Sequence, residues 1–200
     1  MSDILAIIFS LLIGISVHEC AHAYVANLLG DPTARTQGRI TLNPAKHLDP
    51  LGTLMMIYAG LAGVGFGWGK PVPVNPYNFK KPNRDQFFVA IAGPLSNFII
   101  AVLCSLILRI PEVSLIEFIT KFLTLSMILN LGLMIFNLLP FPPLDGSAIL
   151  GVLFPQTWKN YQHEFQKYGG ILLLLLLFFG RGILSSIFTP IMNFFLNVLT

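Results

Sequence analysis

Two histidines and a glutamate stand close together in the first apolar stretch of the chain. His18, Glu19 and His22 form the pattern H-E-x-x-H. On a helix, residues four positions apart lie on one face, so both imidazoles can reach a single metal ion. Glu19 lies about 100° around the helix from His18, where its carboxylate can contact a water molecule on that ion. The pattern predicts a metal site that activates water.

The composition places this pattern in a membrane. Hydrophobic residues make up 54% of the 200 positions and charged residues only 10%, whereas soluble domains carry about a quarter charged residues. A soluble globular protein is therefore excluded. An ionisable side chain in a membrane helix is costly unless it has a partner, so three of them within five residues indicate a functional site.

Other compositional features exclude further classes of protein. Cys20 and Cys104 both lie in apolar runs and indicate no disulfide framework. The formal net charge of +3 is too small and too dispersed to indicate binding to nucleic acid.

The apolar stretches predict an all-α membrane protein, a polytopic helical bundle. A bilayer core of about 30 Å needs about 20 apolar residues in a helix. Residues 4–30, 87–108 and 122–144 meet this length, and the prolines at the end of the third are expected to stop its helix near Leu139. We expect these three helices to form a catalytic core within residues 4–150 of a single domain, residues 1–200.

Three other stretches are less regular. Residues 51–69 are apolar, but five glycines crowd positions 60–69, which are expected to be turn or extended chain. Apolar and polar residues alternate over 39–43, a short strand pattern, and three prolines make residues 70–76 extended. Apolar helices are expected over residues 168–200, and the pattern leaves open whether they form one or two membrane segments.

Catalytic zinc usually has three protein ligands and a water molecule, so two histidines are not enough. Asp145 follows an apolar span and a proline cluster that must unwind the backbone, which is tolerated at membrane depth only inside protein or beside water. It is therefore a candidate third ligand, with a helix-capping aspartate as the alternative. The other candidates are His47, His163, Asp31, Asp49, Asp85, Glu112, Glu117 and Glu164; of these, the two histidines are interpreted as solvated loop residues.

Two asparagines lie in apolar surroundings, where an amide needs a partner. Asn97 and Asn137 are therefore candidates for binding the substrate backbone, or for fixing a contact between helices. Gly93 lies four residues before Asn97, a spacing that favours close helix packing.

Together these motifs resemble the site-2 protease family of intramembrane zinc metalloproteases, in particular its small bacterial and archaeal members without a PDZ or CBS domain. H-E-x-x-H is followed about 120 residues later by N-x-x-P-x-P-P-L-D-G, residues 137–146. Further family signatures are G-R-I-T-L-N-P at 38–44, G-K-P-V-P-V-N-P at 69–76 and A-G-P-L-S-N at 92–97. The resemblance covers residues 10–150.

The resemblance implies an intramembrane zinc endopeptidase. It implies that His18, His22 and Asp145 bind one zinc ion and that Glu19 is the catalytic acid and base. The expected partners are transmembrane protein substrates and the lipid bilayer, with a homo-oligomer left open. The extended residues 38–44 and 70–76 could offer edge hydrogen bonds to an unwound substrate.

Two rival hypotheses differ in their chemistry. A protease of the prenylated-protein-processing type would use a downstream glutamate as third ligand, and Glu112, Glu117 and Glu164 stand in no supporting motif. A non-proteolytic metal-binding protein or transporter would need ligands but no acid and base beside them, so Glu19 argues against it.

The requirement that the ligands meet also predicts a topology. His18 and His22 lie near the C-terminal end of the first span, and Asp145 lies at the C-terminal end of the span that begins at residue 122, so these ends must face the same side. This is satisfied when residues 51–69 dip into the membrane and return. Nine basic residues then lie on one side and two on the other, which predicts a multi-pass protein of the cell membrane with its N-terminus outside and its site open to the cytoplasm.

Overall fold

The fold, seen in a computed structural model, is described for residues 2–62 and 67–200. Helices account for its regular structure. They are α1 (Ser2–Leu28), α2 (Thr33–Thr36), α3 (Pro50–Ala62), α4 (Pro82–Leu108), α5 (Pro111–Ser114), α6 (Glu117–Asn137), α7 (Asp145–Leu153), α8 (Pro155–Phe179) and α9 (Arg181–Leu199). Short 3₁₀ turns occupy Pro44–Lys46 and Pro76–Asn78.

Four helices of the described chain are long and apolar enough to span a membrane. They comprise Ile4–Leu28, Pro82–Leu108, Glu117–Asn137 and Gly182–Leu199. The first three pack against one another, as the prediction of a three-helix core requires. At the interface of α4 and α6 lies a buried cluster of Ala101, Cys104, Leu123, Met127, Leu131, Met134 and Ile135.

The glycine-rich segment differs from its prediction. Helix α3 continues through Gly60 to Ala62, so the expected turn does not begin at residue 60; Gly63 and Gly65 lie outside the described residues. A single glycine costs a helix only about 1 kcal/mol relative to alanine, which is compatible with its continuing. Leu48 and Gly69 form an antiparallel bridge, and the Lys70 N–H donates to the His47 carbonyl at 2.7 Å. The two ends of the segment that contains α3 therefore lie next to each other.

Residues 39–43 are not a strand, which corrects the prediction from their alternating pattern. The Thr41 N–H donates back to the Arg39 carbonyl and the Asn43 N–H to the Thr41 hydroxyl, so local turns use the donors that a strand would offer to a neighbour. Within the described chain, β pairing is limited to the Leu48–Gly69 bridge. We call residues 67–78 the strap. The prediction of extended chain over 70–76 holds to the extent that residues 70–75 have no helical structure, whereas Pro76 begins the 3₁₀ turn Pro76–Asn78.

The proline cluster separates α6 from α7. Helix α6 ends at Asn137, two residues before the boundary predicted from the sequence. Asp145 is not on the unwound segment itself but is the first residue of α7. A side chain on Gly146 would overlap the carbonyls of Leu138 and Leu139, so glycine is required for α7 to start this close to the end of α6.

Helix α9 packs on the core through aromatic contacts. The ring of Phe188 lies 6.4 Å from that of Phe136 in α6, and the ring of Phe195 lies 5.4 Å from that of Phe98 in α4. Helix α8 begins at Pro155, well before the apolar residues 168–180. Of these two helices, α9 supplies the candidate span, Gly182–Leu199.

Candidate metal centre

The structure brings His18, His22 and Asp145 together. The two Nε2 atoms lie 3.0 Å apart. The Asp145 carboxylate faces both rings, with Oδ2 3.1 Å from His18 Nε2 and Oδ1 3.3 Å from His22 Nε2. One potential ligand atom from each residue falls within 4.8 Å of the others. The H-E-x-x-H spacing therefore places both imidazoles on one face of α1, as predicted.

Hydrogen bonds at the other ring nitrogens fix which atoms are available to a metal. The Nδ1 of His22 lies 2.7 Å from the Val89 carbonyl, which can only accept, so Nδ1 carries the proton. The Nδ1 of His18 lies 2.6 Å from Oδ1 of Asn97, which accepts in the same way. Both Nε2 atoms therefore keep a lone pair directed at Asp145.

This arrangement fits a divalent cation. Two imidazole lone pairs and a carboxylate face one another with no proton to share, and Asp145 Oδ2 is buried without a hydrogen-bond donor among the described residues. Converging electron pairs repel unless a cation lies between them. Nitrogen ligands at 2.0–2.1 Å around a tetrahedral zinc ion lie about 3.3 Å apart, close to the observed spacing.

Helix α4 approaches the two imidazoles at Gly93. A Cβ atom built at this position would overlap Nε2 of His22 and Nε2 and Cε1 of His18. Both rings are buried, with side-chain exposures of 8% and 9%. The absence of a side chain at Gly93 therefore lets α4 cover the site without displacing its donor atoms.

Asp145 does not have the capping role that was its alternative interpretation. It is the first residue of α7, whose N-terminus has no side-chain capping hydrogen bond. The carboxylate instead faces the histidines and is 20% exposed. An acidic side chain in the first turn of a helix is also favoured by the helix dipole.

Glu19 contacts the strap. Its Oε2 accepts a hydrogen bond from the Val72 N–H at 3.0 Å, and the side chain is half-buried. A Cβ atom on Gly69 would lie 3.5 Å from Oε1. One carboxylate oxygen is thus held by the backbone of the strap, and the other has no such bond among the described residues.

Two charged residues anchor the strap. Arg39 is 5% exposed and donates from Nη1 to the Pro71 carbonyl at 3.0 Å and from Nη2 to the Lys70 carbonyl at 2.5 Å. Asp31 is fully buried and accepts from the Asn75 N–H and the Asn78 amide, both at 2.7 Å. The strap is therefore fixed on either side of Val72.

The contacts of Asp31 also shift its titration. Burial raises the pKa of this carboxyl, but hydrogen bonds from Thr33, the Asn75 backbone and Asn78 outweigh that effect and hold the pKa below its usual value. Asp31 therefore stays ionised at neutral pH and keeps its hold on the strap.

Asn97, Asn130 and Asn137 have different surroundings. Asn97 is fully buried between His18, Gly14 and Asn130. Asn137 is half-buried and donates to the Leu133 carbonyl of its own helix at 3.0 Å. Substrate binding by Asn97 or Asn137 stays a prediction. Asn130 was missed in the sequence, although it carries the same signal as the other two, an amide in an apolar span.

The other histidines differ from their interpretation as solvated loop residues. His47 is fully buried, and its Nε2 donates to the Thr41 carbonyl at 2.7 Å. His163 is exposed but lies within helix α8. Neither joins the group formed by His18, His22 and Asp145.

Comparison with known proteins agrees with this geometry. The sequence matches peptidase family M50 over residues 6–121 and 109–179. It is 41% identical to "Putative zinc metalloprotease YwhC" of Bacillus subtilis over 94% of this chain and 85% of that protein.

Two mycobacterial relatives are longer than this chain. It is 32% identical to "Putative zinc metalloprotease Rip2" of Mycolicibacterium smegmatis, over 83% of this chain and 64% of the relative. Identity to the Mycobacterium tuberculosis protein of the same name is 30%, over 74% and 57% respectively. No solved structure matches the chain. The chain is a multi-pass membrane protein and belongs to peptidase family M50, the site-2 protease family of zinc metalloproteases.

Proposed function

We propose that this chain hydrolyses peptide bonds within or near the transmembrane segments of membrane proteins, as a zinc endopeptidase of the cell membrane. The observation that carries the proposal is the convergence of two imidazoles of a candidate membrane span with the carboxylate at the start of α7, on the helix that also carries Glu19 next to His18. Membership of a protease family does not favour the metal-transporter hypothesis.

His18, His22 and Asp145 are the residues that would hold one zinc ion. Their protonation states suit this role, because each Nε2 has its lone pair free and Asp145 supplies a negative charge. When bound, zinc lowers the pKa of a water molecule and polarises a carbonyl group.

Glu19 would carry the proton during hydrolysis. A carboxylate takes the proton of the attacking water and later delivers it to the leaving amine. The Val72 N–H holds Oε2 and so orients the carboxylate. Oε1 is then the oxygen that accepts the proton.

The substrate must leave the helical state before it is cut, because a helix hides its peptide carbonyls. The strap offers few free backbone N–H groups to an unwound substrate. Pro71 and Pro73 have no N–H, and those of Lys70, Val72 and Asn75 are already donated within the protein. We therefore propose that the strap positions Glu19 through Val72, and substrate contacts to residues 38–44 and 70–76 stay predictions.

The assay that tests the proposal compares two single-span substrates in proteoliposomes. One has a uniform leucine span, and the other has the same span with a central Asn-Gly-Pro. We expect cleavage of the second to be faster, since it unwinds at lower cost. Cleavage should stop with a zinc chelator and return with added zinc. Cleavage that continues in chelator would contradict the zinc mechanism.

We further propose that residues 51–69 dip into the membrane and return to the same side. Helix α3 has 13 residues, about 20 Å at 1.5 Å per residue, which is short of the bilayer core of about 30 Å. The Leu48–Gly69 bridge brings the ends of the segment together. The basic side of the protein would then hold Arg35, Arg39, Lys46, Lys70, Lys80, Lys81, Arg84, Lys159 and Lys167.

Single-cysteine labelling in intact cells tests this topology. The background lacks Cys20 and Cys104, and the cysteines replace Thr36, Tyr77 or Leu115. All three positions are exposed, Tyr77 by 95% and Leu115 by 84%. An impermeant reagent added outside should label only the cysteine at 115, because the other two face the cytoplasm. Labelling at 36 or 77 would contradict the proposed orientation.

A further inference from the structure

A line of buried polar groups leads from His18 across all three core helices. The His18 ring in α1 donates to Oδ1 of Asn97 in α4 at 2.6 Å. The Asn97 amide donates to Oδ1 of Asn130 in α6 at 2.8 Å, and the Asn130 amide donates to the Ser126 carbonyl at 2.9 Å. Asn97 and Asn130 are both fully buried, so water cannot replace these partners.

Backbone carbonyls determine the direction of this line. The Ser126 carbonyl can only accept, so it requires the NH₂ group of Asn130 on its side and leaves Oδ1 facing Asn97. The Gly14 carbonyl accepts from Nδ2 of Asn97 at 3.1 Å and imposes the same orientation on Asn97. The oxygen of Asn97 is therefore the atom that faces His18.

The orientation of Asn97 decides whether His18 can bind a metal. With Oδ1 facing the ring, Nδ1 carries the proton and Nε2 keeps its lone pair. A reversed amide would present its NH₂ group to Nδ1, which would then accept, and the proton would move to Nε2. That form of His18 has no lone pair for zinc on the side of Asp145.

We propose that Asn130 is a positioning residue of the zinc site, acting on His18 through Asn97. The inference rests on the proposed zinc site and extends it by one helix. Asn130 fixes the amide of Asn97 by accepting from it, and so keeps His18 in the tautomer that binds metal. Asn130 acts on the site indirectly, through the amide of Asn97.

The packing of α1 and α6 leaves room for this amide. A Cβ atom on Gly14 would lie 2.8 Å from Oδ1 of Asn130 and 3.0 Å from Leu133. Glycine one turn before His18 therefore allows Asn130 to approach α1 closely. The Gly14 carbonyl also accepts from Asn97. Gly14 therefore makes room for the amide of Asn130 and orients the amide of Asn97.

The test uses the full chain and measures zinc affinity by competition with a chelator. Asn130→Leu and Asn130→Ala both remove the oxygen that accepts from Asn97. Leucine keeps a similar side-chain volume and alanine does not, so zinc affinity can still be measured if one of the two variants fails to fold. Asn130→Asp restores it, because a neutral carboxylic acid accepts from Asn97 and donates to the Ser126 carbonyl. Ser126→Ala is the matched control: it removes a buried hydroxyl of the same helix, bonded to Ser10 at 2.6 Å, but keeps the carbonyl.

We expect the first two variants to bind zinc about 10- to 100-fold more weakly, the scale for partners of metal ligands. The visible spectrum of their Co²⁺ forms should also change, because His18 no longer binds uniformly. Asn130→Asp should recover most of the affinity, and Ser126→Ala should stay within about twofold of the unaltered protein.

Three results would overturn the inference. They are unchanged affinity in Asn130→Leu or Asn130→Ala, an equal loss in Ser126→Ala, or no recovery in Asn130→Asp. If the unaltered protein binds no zinc, the proposed site itself fails, which is a separate outcome.

Discussion

Glu19→Gln should bind zinc normally and lose cleavage by at least about 100-fold, the scale of general acid–base catalysis. The amide has nearly the shape of the carboxylate, and its oxygen can still accept the hydrogen bond from Val72 that Glu19 makes at 3.0 Å. It cannot take a proton from water. The change therefore separates proton transfer from folding and from metal binding.

The measurement combines metal content with cleavage of the helix-breaking substrate. Glu164→Gln on the exposed face of α8 makes the same chemical change away from the site and should have no effect on cleavage. Full activity of Glu19→Gln would contradict the role of Glu19, while loss of zinc would show that Glu19 supports the metal instead.

Asp145→Ala should lose both zinc and activity. Its carboxylate lies 3.1 and 3.3 Å from the two Nε2 atoms, so it is the only negative charge of the group. Removing a group that hydrogen-bonds to a metal ligand typically weakens metal affinity about 10- to 100-fold. We expect removal of a direct ligand to weaken zinc affinity by more than about 100-fold. Metal content after equilibration with a chelator buffer measures the effect.

Asp49→Ala is the control for a carboxylate at a helix start. Asp49 precedes α3 and accepts from the Gly52 N–H at 2.8 Å, a capping bond whose loss costs about 1 kcal/mol. We expect it to lower stability without changing zinc content. Full zinc occupancy in Asp145→Ala would exclude Asp145 as a ligand.

Much of the site was predictable because its members carry local signals. The spacing of His18 and His22 reflects the helical repeat, and the prolines before Asp145 indicate that the backbone departs from a helix at membrane depth. The sequence could not show that α7 begins at Asp145 itself. That boundary depends on how closely Gly146 packs against the end of α6.

The partners of the histidines were harder to predict. The Val89 carbonyl binds His22 through the backbone, and a backbone acceptor has no signature in the sequence. Asn130 had the signal of an amide in an apolar span, but its partners lie 33 residues away and in its own helix. The strand expected at 39–43 failed because local turns compete with pairing for the same N–H groups.

The separation of the ligands along the chain has a consequence for biosynthesis. His22 lies in the first helix and Asp145 follows about 120 residues later. At 5–20 residues per second, roughly 6 to 25 s of translation separate them. During that time the first helix holds two imidazoles and a carboxylate in the membrane without the third ligand, at a cost that favours early contact with the fourth helix. With Asp145 as the proposed third ligand, complete zinc coordination requires α7, so we expect a nascent chain truncated before Asp145 to bind zinc weakly and not to cleave.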